Sequence, residues 1–188
     1  MLTTSLLLLC AGATHSSRQG GFPAADEPLD DRGRRDATAL ALPSGFRDAV
    51  EVSPDLSAIE TAQAMGVSPL PQPALRDINH GRWAGCSFAR ISAEEPDAFA
   101  HWLADPAQGS PDGESLHGCQ LRIGTWLDAL AGTNARICAL SHPMPIRAAI
   151  AHALDMPLQA SLGIDIAPLS RMMLSFNGRW RLQSLTPF

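Results

Sequence analysis

The feature that most constrains the fold is the apolar run at residues 6–9, which is followed by a short loop over residues 10–15. A short apolar run that stops at glycine and small polar residues is typical of a strand buried on both faces of a parallel sheet. In open α/β sheets, ligands bind beside the carboxyl ends of such strands. We therefore expect this loop to border a binding site, with Thr14 and His15 at its rim.

The composition indicates one globular domain over residues 1–188 and excludes two classes of partner. Of the 188 residues, 45% are hydrophobic and 18% are charged, so the chain can bury a sizeable core. The net charge is −5, and the 14 basic residues, all arginine, form only one cluster, so we expect no nucleic-acid partner. No run approaches the roughly 18 apolar residues that span a bilayer, so we expect no membrane partner.

The cysteines and the N-terminus indicate a cytoplasmic protein. The four cysteines are Cys10, Cys86, Cys119 and Cys138. They are far apart and contain no C-x-x-C pair, which is the pattern of reduced thiols rather than of a disulfide framework. Residues 1–10 could instead be a signal peptide, but they lack basic residues, and Leu9 stands where a lipoprotein signal has a small residue. We therefore favour a strand.

Strands and helices alternate along the chain, which predicts a parallel sheet with helices on both faces. The predicted helices span residues 32–42, 55–65, 93–103, 114–130 and 145–154, and the later predicted strands span residues 48–52, 136–140, 164–176 and 180–185. Ser53 is predicted to cap the second helix and Pro54 to begin it. Leu121 is predicted to be buried. Asn177-Gly178 predicts a hairpin turn.

Several motifs occur in the order found in one known family. Residues 26–33 read Asp-Glu-Pro-Leu-Asp-Asp-Arg-Gly, residues 53–54 read Ser-Pro, residues 61–62 read Thr-Ala, residues 81–83 read Gly-Arg-Trp, residues 113–115 read Gly-Glu-Ser and residues 140–142 read Leu-Ser-His. Together with the first strand, they resemble the histidine phosphatase superfamily, the phosphoglycerate mutase-like proteins, and most closely its short bacterial members around α-ribazole phosphatase. The resemblance covers nearly the whole chain. It implies an α/β fold, a three-layer sandwich whose mostly parallel central sheet has helices on both faces.

The resemblance also implies a catalytic set of five positions. In the family, a histidine attacks phosphorus, two arginines and a second histidine hold the phosphate oxygens, and a carboxylic acid protonates the leaving oxygen. In this chain the nucleophile position falls on Ala11, and the two arginine positions fall on Cys10 and Ser57. The acid position falls on Asp77 and the second histidine position on His142. Three of the five positions therefore carry residues that cannot do the family's chemistry.

These replacements predict a pseudoenzyme that binds a small molecule or a protein partner. Ala11 offers no lone pair, and a neutral thiol or hydroxyl cannot replace a bidentate arginine–phosphate pair. Each lost donor typically costs on the order of 2–4 kcal/mol at the transition state. Pro143, directly after His142, removes one backbone N–H donor as well. We expect little positive charge near Asp77 and Asp55, and thus a pocket that favours a neutral or cationic ligand over phosphate.

Two other functions are compatible with the same residues. One is a phosphatase or mutase that uses rearranged chemistry through His142 or His15. The other is a structural or regulatory partner of a metabolic enzyme, for which the subgroup resemblance implies cobalamin-type metabolism. We expect Cys10 to be a small buried residue rather than a nucleophile, because no arginine follows it at the spacing of a cysteine phosphatase.

We expect no cofactor and no metal ion. The pairs His80 with Cys86 and His117 with Cys119 do not have the spacing of a known structural zinc site. The hairpin at residues 177–178 could offer an edge for a homodimer.

Overall fold

A computed structural model describes residues 3–46 and 50–188 of the chain. In these ranges the strands form one six-stranded sheet. They are β1 Thr4–Cys10, β2 Val50–Val52, β3 Pro69–Pro71, β4 Arg136–Ser141, β5 Arg171–Phe176 and β6 Trp180–Thr186. Their order across the sheet is β3-β2-β4-β1-β5-β6. β2, β3 and β4 run parallel to β1, and β5 is antiparallel to both of its neighbours, so the prediction of a mostly parallel sheet is confirmed.

The helices lie between the strands along the chain. They are α1 His15–Gln19, α2 Asp31–Ala39, α3 Leu56–Ala64, α4 Phe88–Glu94, α5 Pro96–Ala104, α6 Leu116–Leu130, α7 Pro143–Leu154 and α8 Leu158–Ser161. Short 3-10 helices occur at Pro73–Leu75, Gly81–Trp83 and Pro106–Gln108. In the part of the chain that is described, no helix combines the length and the apolar character needed to cross a membrane.

The alternation of side chains along β1 produces the three layers. Leu6 and Leu8 belong to the apolar cluster that includes α6 and α7, whereas Leu7 and Leu9 belong to the cluster that includes α2 and α3. All four side chains are buried, because successive residues of a strand point to opposite faces and both faces are covered by helices. The run at residues 6–9 is thus a central strand, as predicted.

Two predictions about helices are wrong for local reasons. The predicted helix over residues 93–103 is two helices, α4 and α5, because Pro96 begins a new helix at the position where a missing N–H costs nothing. Ser53 does not cap the helix predicted over residues 55–65. That helix is α3, which begins at Leu56 and has Asp55 as its N-cap residue. The Ser53 hydroxyl instead accepts a hydrogen bond from the backbone N–H of Asp55 at 3.2 Å.

Two other predicted element boundaries and the predicted burial of one side chain also differ from the structure. Leu121 is 62% exposed, because it lies on the solvent side of α6. Residues 164–170 are not part of a strand, and Leu169, with φ of 62°, has a backbone conformation that an extended strand does not adopt. The helix predicted to reach residue 42 ends at Ala39. Asp48, in the predicted second strand, lies outside the described residues.

A close contact between α2 and the loop after β1 holds that loop against the helix. Gly33 lies in the first turn of α2, and a Cβ atom there would be 2.3 Å from the backbone oxygen of Ala13. The backbone N–H of Asp30 also donates to that oxygen, at 3.0 Å. Glycine at position 33 therefore fixes the path of the chain where it leaves the central strand.

Candidate functional site

The carboxyl ends of β1, β2 and β4 open into one cavity of about 800 Å³. Cys10 and Ala11 line it at the end of β1, Asp55 and Ser57 line it after β2, and His142 lines it after β4. These segments are adjacent in space because β4 lies between β1 and β2 in the sheet. The volume lies within the range typical of small-molecule sites.

Asp77 and Thr14 line the same cavity, and His15 does not belong to the lining. Asp77 follows the 3-10 helix at Pro73–Leu75, and Thr14 is the N-cap residue of α1. His15 begins α1 with an exposed side chain. The sequence places seven residues in the catalytic set or at the rim of the site. Six of them line this cavity, and the exception is His15.

The His142 imidazole is enclosed by three side chains. Its Nε2 atom lies 2.9 Å from the hydroxyl oxygen of Ser53 and 3.2 Å from Oδ2 of Asp55. Its Nδ1 atom lies 3.8 Å from Oδ2 of Asp77. The Asp55 carboxylate also accepts the backbone N–H of Asp77 at 2.7 Å, so the two acids are tied together beside the ring.

This environment favours the protonated form of His142. Burial by itself would lower the pKa of His142, but the neighbouring charges of Asp77 and Asp55 outweigh it, so the pKa is raised. Burial would raise the pKa of Asp55, but the hydrogen bonds from His142 and from the backbone of Asp77 outweigh it, so the pKa is lowered. A protonated imidazole has no free lone pair with which to attack phosphorus.

Cys10, Ala11 and Ser57 bring no charge to the floor of the cavity. Ala11 is 5% exposed and has only a methyl group as its side chain. Burial, reinforced by the charge of Asp77, raises the pKa of Cys10 far above its ordinary value, so the thiol stays protonated. Ser57 is buried on α3. None of the three is a charged donor for a phosphate oxygen.

The helix that follows β4 is poorly equipped to bind an anion. A helix N-terminus normally offers free backbone N–H groups to an anionic ligand. In α7 the first residue is Pro143 and the third is Pro145, and proline has no N–H. Among the first three residues, only Met144 keeps this donor.

The cavity lining also includes two arginines that no family motif places in the site, Arg76 and Arg147. The expectation of little positive charge near the two acids is therefore wrong. The sequence carried a signal for each: Arg76 precedes Asp77, and Arg147 lies in the second turn of the helix that follows His142.

One wall of the cavity is aromatic. Phe22, Phe88 and Trp102 line it, and the Phe22 ring centroid lies 4.9 Å from the centroids of both other rings. His80 also lines the cavity and packs edge-on against Phe22 at 5.1 Å. Burial lowers the pKa of His80, which favours its neutral form. Across residues 3–46 and 50–188, no three His, Cys, Asp or Glu side chains are grouped so as to hold a metal ion.

Ser53, His142 and Asp77 are arranged like the nucleophile, base and acid of a serine hydrolase, but they do not satisfy its requirements. The Ser53 side chain is completely buried and does not line the cavity, so a substrate cannot reach its hydroxyl. The distance of 3.8 Å between His142 and Asp77 is too long for a hydrogen bond. This cluster stabilises the site and offers no accessible nucleophile.

Comparison with known proteins gives concordant matches. The family model of the histidine phosphatase superfamily (branch 1) matches residues 6–186. Phosphoserine phosphatase 1 of Hydrogenobacter thermophilus is 28% identical over 156 residues, which are 77% of this chain and 74% of that protein. The bifunctional protein Rv2228c of Mycobacterium tuberculosis is 30% identical over 179 residues, which are 89% of this chain but 49% of that protein. This chain thus spans about half the length of its mycobacterial relative.

Solved structures show the same fold. A putative alpha-ribazole-5'-P phosphatase from Escherichia coli superposes with a TM-score of 0.85 at 20% identity, covering 98% of this chain and 96% of that one. At this level of identity the likeness concerns the fold alone.

Proposed function

This chain belongs to the histidine phosphatase superfamily (branch 1), and we propose that it has lost phosphomonoester hydrolysis and acts by binding a small molecule in its cavity. The observation that carries the proposal is the methyl group of Ala11 at the position that the family resemblance gives to the nucleophilic histidine. A methyl group cannot form a phosphoenzyme. The remaining family histidine, His142, is held between two carboxylates that favour its protonated form.

The two lost arginine positions support the same conclusion. Cys10 and Ser57 supply no charge-assisted donors, and each such donor is worth on the order of 2–4 kcal/mol at a transition state. Losing both corresponds to a rate decrease on the order of 10³–10⁶-fold, in addition to the loss of the nucleophile. Pro143 and Pro145 at the start of α7 reduce the backbone donors further.

The cavity itself supports continued ligand binding. Its volume of about 800 Å³ and its aromatic wall are typical of small-molecule sites. We therefore favour a small ligand over a purely structural role.

The alternative is a phosphatase with rearranged histidine chemistry, and one observation favours it. His80 lines the cavity, and burial favours its neutral form, so it keeps a lone pair that His142 lacks. His15 is a weaker candidate because it lies outside the lining. The loss of both arginine positions counts against either residue as a nucleophile.

The cysteines support a cytoplasmic location as a further proposal. All four are unpaired, and burial raises the pKa of Cys119 and of Cys138 to about 12, which keeps both thiols protonated and unreactive. Such thiols are typical of proteins in a reducing compartment.

The test is the hydrolysis of phenyl phosphate and phosphoserine by the purified protein. We expect no rate above the uncatalysed reaction. A rate that disappears in His80→Ala or in His142→Ala would overturn the proposal and identify the histidine responsible. His117→Ala is the matched control, because His117 is exposed on α6 and does not line the cavity.

A further inference from the structure

One hydroxyl group in the cavity lining has no partner. Ser110 is 6% exposed, and its Oγ atom makes no hydrogen bond to any described residue. Ser110 nevertheless lines the cavity. A buried hydroxyl that makes no hydrogen bond is costly, so a ligand group that reached this oxygen would be stabilised.

The guanidinium of Arg147 is also only partly used. Its Nε atom donates to the backbone oxygen of Ile164 at 2.8 Å, and its Nη1 atom lies 3.4 Å from the sulfur of Met144, a weak acceptor. Within residues 3–46 and 50–188, no carboxylate lies within ion-pair distance of it. Burial lowers the pKa of Arg147, so its charge is held in a partly desolvated place, where an anion would bind more strongly than in water.

The acids of the cavity floor are already engaged with one another and with His142. The Asp55 carboxylate contacts the His142 ring and the backbone N–H of Asp77. The Asp77 carboxylate accepts the backbone N–H of Ile78 at 2.8 Å. Asp165 and Arg76 also line the cavity, so with His142 protonated the lining holds three acidic side chains and three cationic ones.

From these contacts we propose that the cavity binds an apolar monocarboxylate, whose carboxylate pairs with Arg147 and whose body packs against the aromatic wall. This ligand class rests on the loss of hydrolysis proposed above, and it replaces the expectation of a neutral or cationic ligand, which had assumed little positive charge in the cavity. The Ser110 hydroxyl donates a further hydrogen bond to the ligand.

The contacts that these charged groups already make favour a monocarboxylate over two other ligands. A phosphomonoester carries about two negative charges at neutral pH and would face Asp55 and Asp77 with both family arginine positions lost. A cation would meet the positive charge of Arg147, and the Asp55 carboxylate is already hydrogen-bonded. A single carboxylate needs only one fork of guanidinium donors.

The experiment is calorimetric titration of the unaltered protein with 4-phenylbutyrate, 4-phenylbutyramide and 4-phenylbutylamine. These probes share one apolar body and differ only in the charge of the head group. We expect the carboxylate to bind about tenfold or more tightly than the amide, because its hydrogen bonds with Arg147 are charge-assisted. The amine should bind most weakly. The tryptophan fluorescence of the protein, to which Trp102 in the wall contributes, gives a second readout of binding.

Two variants locate the carboxylate. Arg147→Gln should weaken binding of 4-phenylbutyrate about tenfold or more while changing binding of the amide little. Ser110→Ala should weaken binding a few-fold, in line with the loss of one neutral hydrogen bond. Arg181→Gln is the matched control, since Arg181 is exposed on β6 and does not line the cavity. Thermal unfolding of each variant checks that the fold is kept.

The comparison of the three probes on the unaltered protein tests the monocarboxylate assignment even if Arg147→Gln does not fold. Equal affinity for carboxylate and amide, tightest binding of the amine, or no binding of any probe would each overturn the monocarboxylate assignment. None of these results would restore hydrolysis, so the proposed loss of activity would still stand. Hydrolysis of phenyl phosphate by the unaltered protein would instead overturn the proposed function.

Discussion

Replacing His142 by alanine tests how the site is held together. The substitution removes a ring that lies 3.2 Å from Asp55 and 3.8 Å from Asp77, and it leaves the two carboxylates next to each other. The side chains of His142, Asp55 and Asp77 are 7%, 12% and 15% exposed, so water does little to screen them. Removing one partner of a buried ion pair costs about 3–5 kcal/mol.

This loss of stability is large enough to measure by thermal unfolding. In a domain of this length each kcal/mol lowers Tm by about 2–4 °C, so His142→Ala should lower Tm by about 6–20 °C near neutral pH. The matched control is His152→Ala. The His152 ring pairs with Asp128 at 2.9 Å, but the Asp128 side chain is 67% exposed, so losing that pair should cost no more than about 1 kcal/mol.

The cost of His142→Ala should also depend on pH with a defined sign. The folded-state pKa of His142 is raised, so its stabilisation is complete below its ordinary pKa of about 6.5 and is lost as pH rises through the raised value. The folded-state pKa of Asp55 is lowered, so its contribution is present above about 3.9 and is lost as pH falls through the lowered value. Urea unfolding from pH 3 to pH 9 measures both limits. A cost below about 1 kcal/mol, or one that is equal at pH 6 and pH 9, would refute the ion-pair interpretation.

Two further substitutions test the supports of the site by urea unfolding. Gly33→Ala should destabilise the protein by about 2–4 kcal/mol, because the new methyl group would lie 2.3 Å from the backbone oxygen of Ala13; a change below about 0.5 kcal/mol would contradict this. Arg122→Gln should cost about 3–5 kcal/mol, because Arg122 forms a nearly buried bidentate pair with Glu114 at 2.8 and 2.9 Å. Arg90→Gln, at an exposed pair, is its control and should cost about 1 kcal/mol or less.

The sequence predicted the central strand from its apolar pattern, and the family resemblance implied that the site residues converge. Residues 6–9 are apolar at every position, which is typical of a strand covered on both faces. Ala11, Ser57 and His142 come shortly after three strands of one parallel group, and the carboxyl ends of such strands share one edge of the sheet. The proximity that the resemblance implied therefore agrees with the topology of the sheet.

The rest of the site depends on distances that the sequence does not contain. Ser110 reaches the cavity from a loop whose placement is fixed only by tertiary packing, and the same packing decides which face of α7 turns Arg147 toward the cavity. The exposure of Leu121 depends on which face of α6 meets the sheet, and the apolar residues on that helix do not form a single stripe. His80 carried no signal beyond its position near Asp77, so its place in the aromatic wall was not predicted.

The most direct test of the central claim is the initial rate of phenyl phosphate hydrolysis by the unaltered protein and by a triple variant. The triple variant carries Cys10→Arg, Ala11→His and Ser57→Arg, which restores the three family positions at the cavity floor. We predict no hydrolysis by the unaltered protein and measurable hydrolysis by the triple variant, with Ala11→His alone remaining far slower because both arginines are still missing. Hydrolysis by the unaltered protein, or a folded triple variant without activity, would contradict the claim that the chemistry was lost at these three residues.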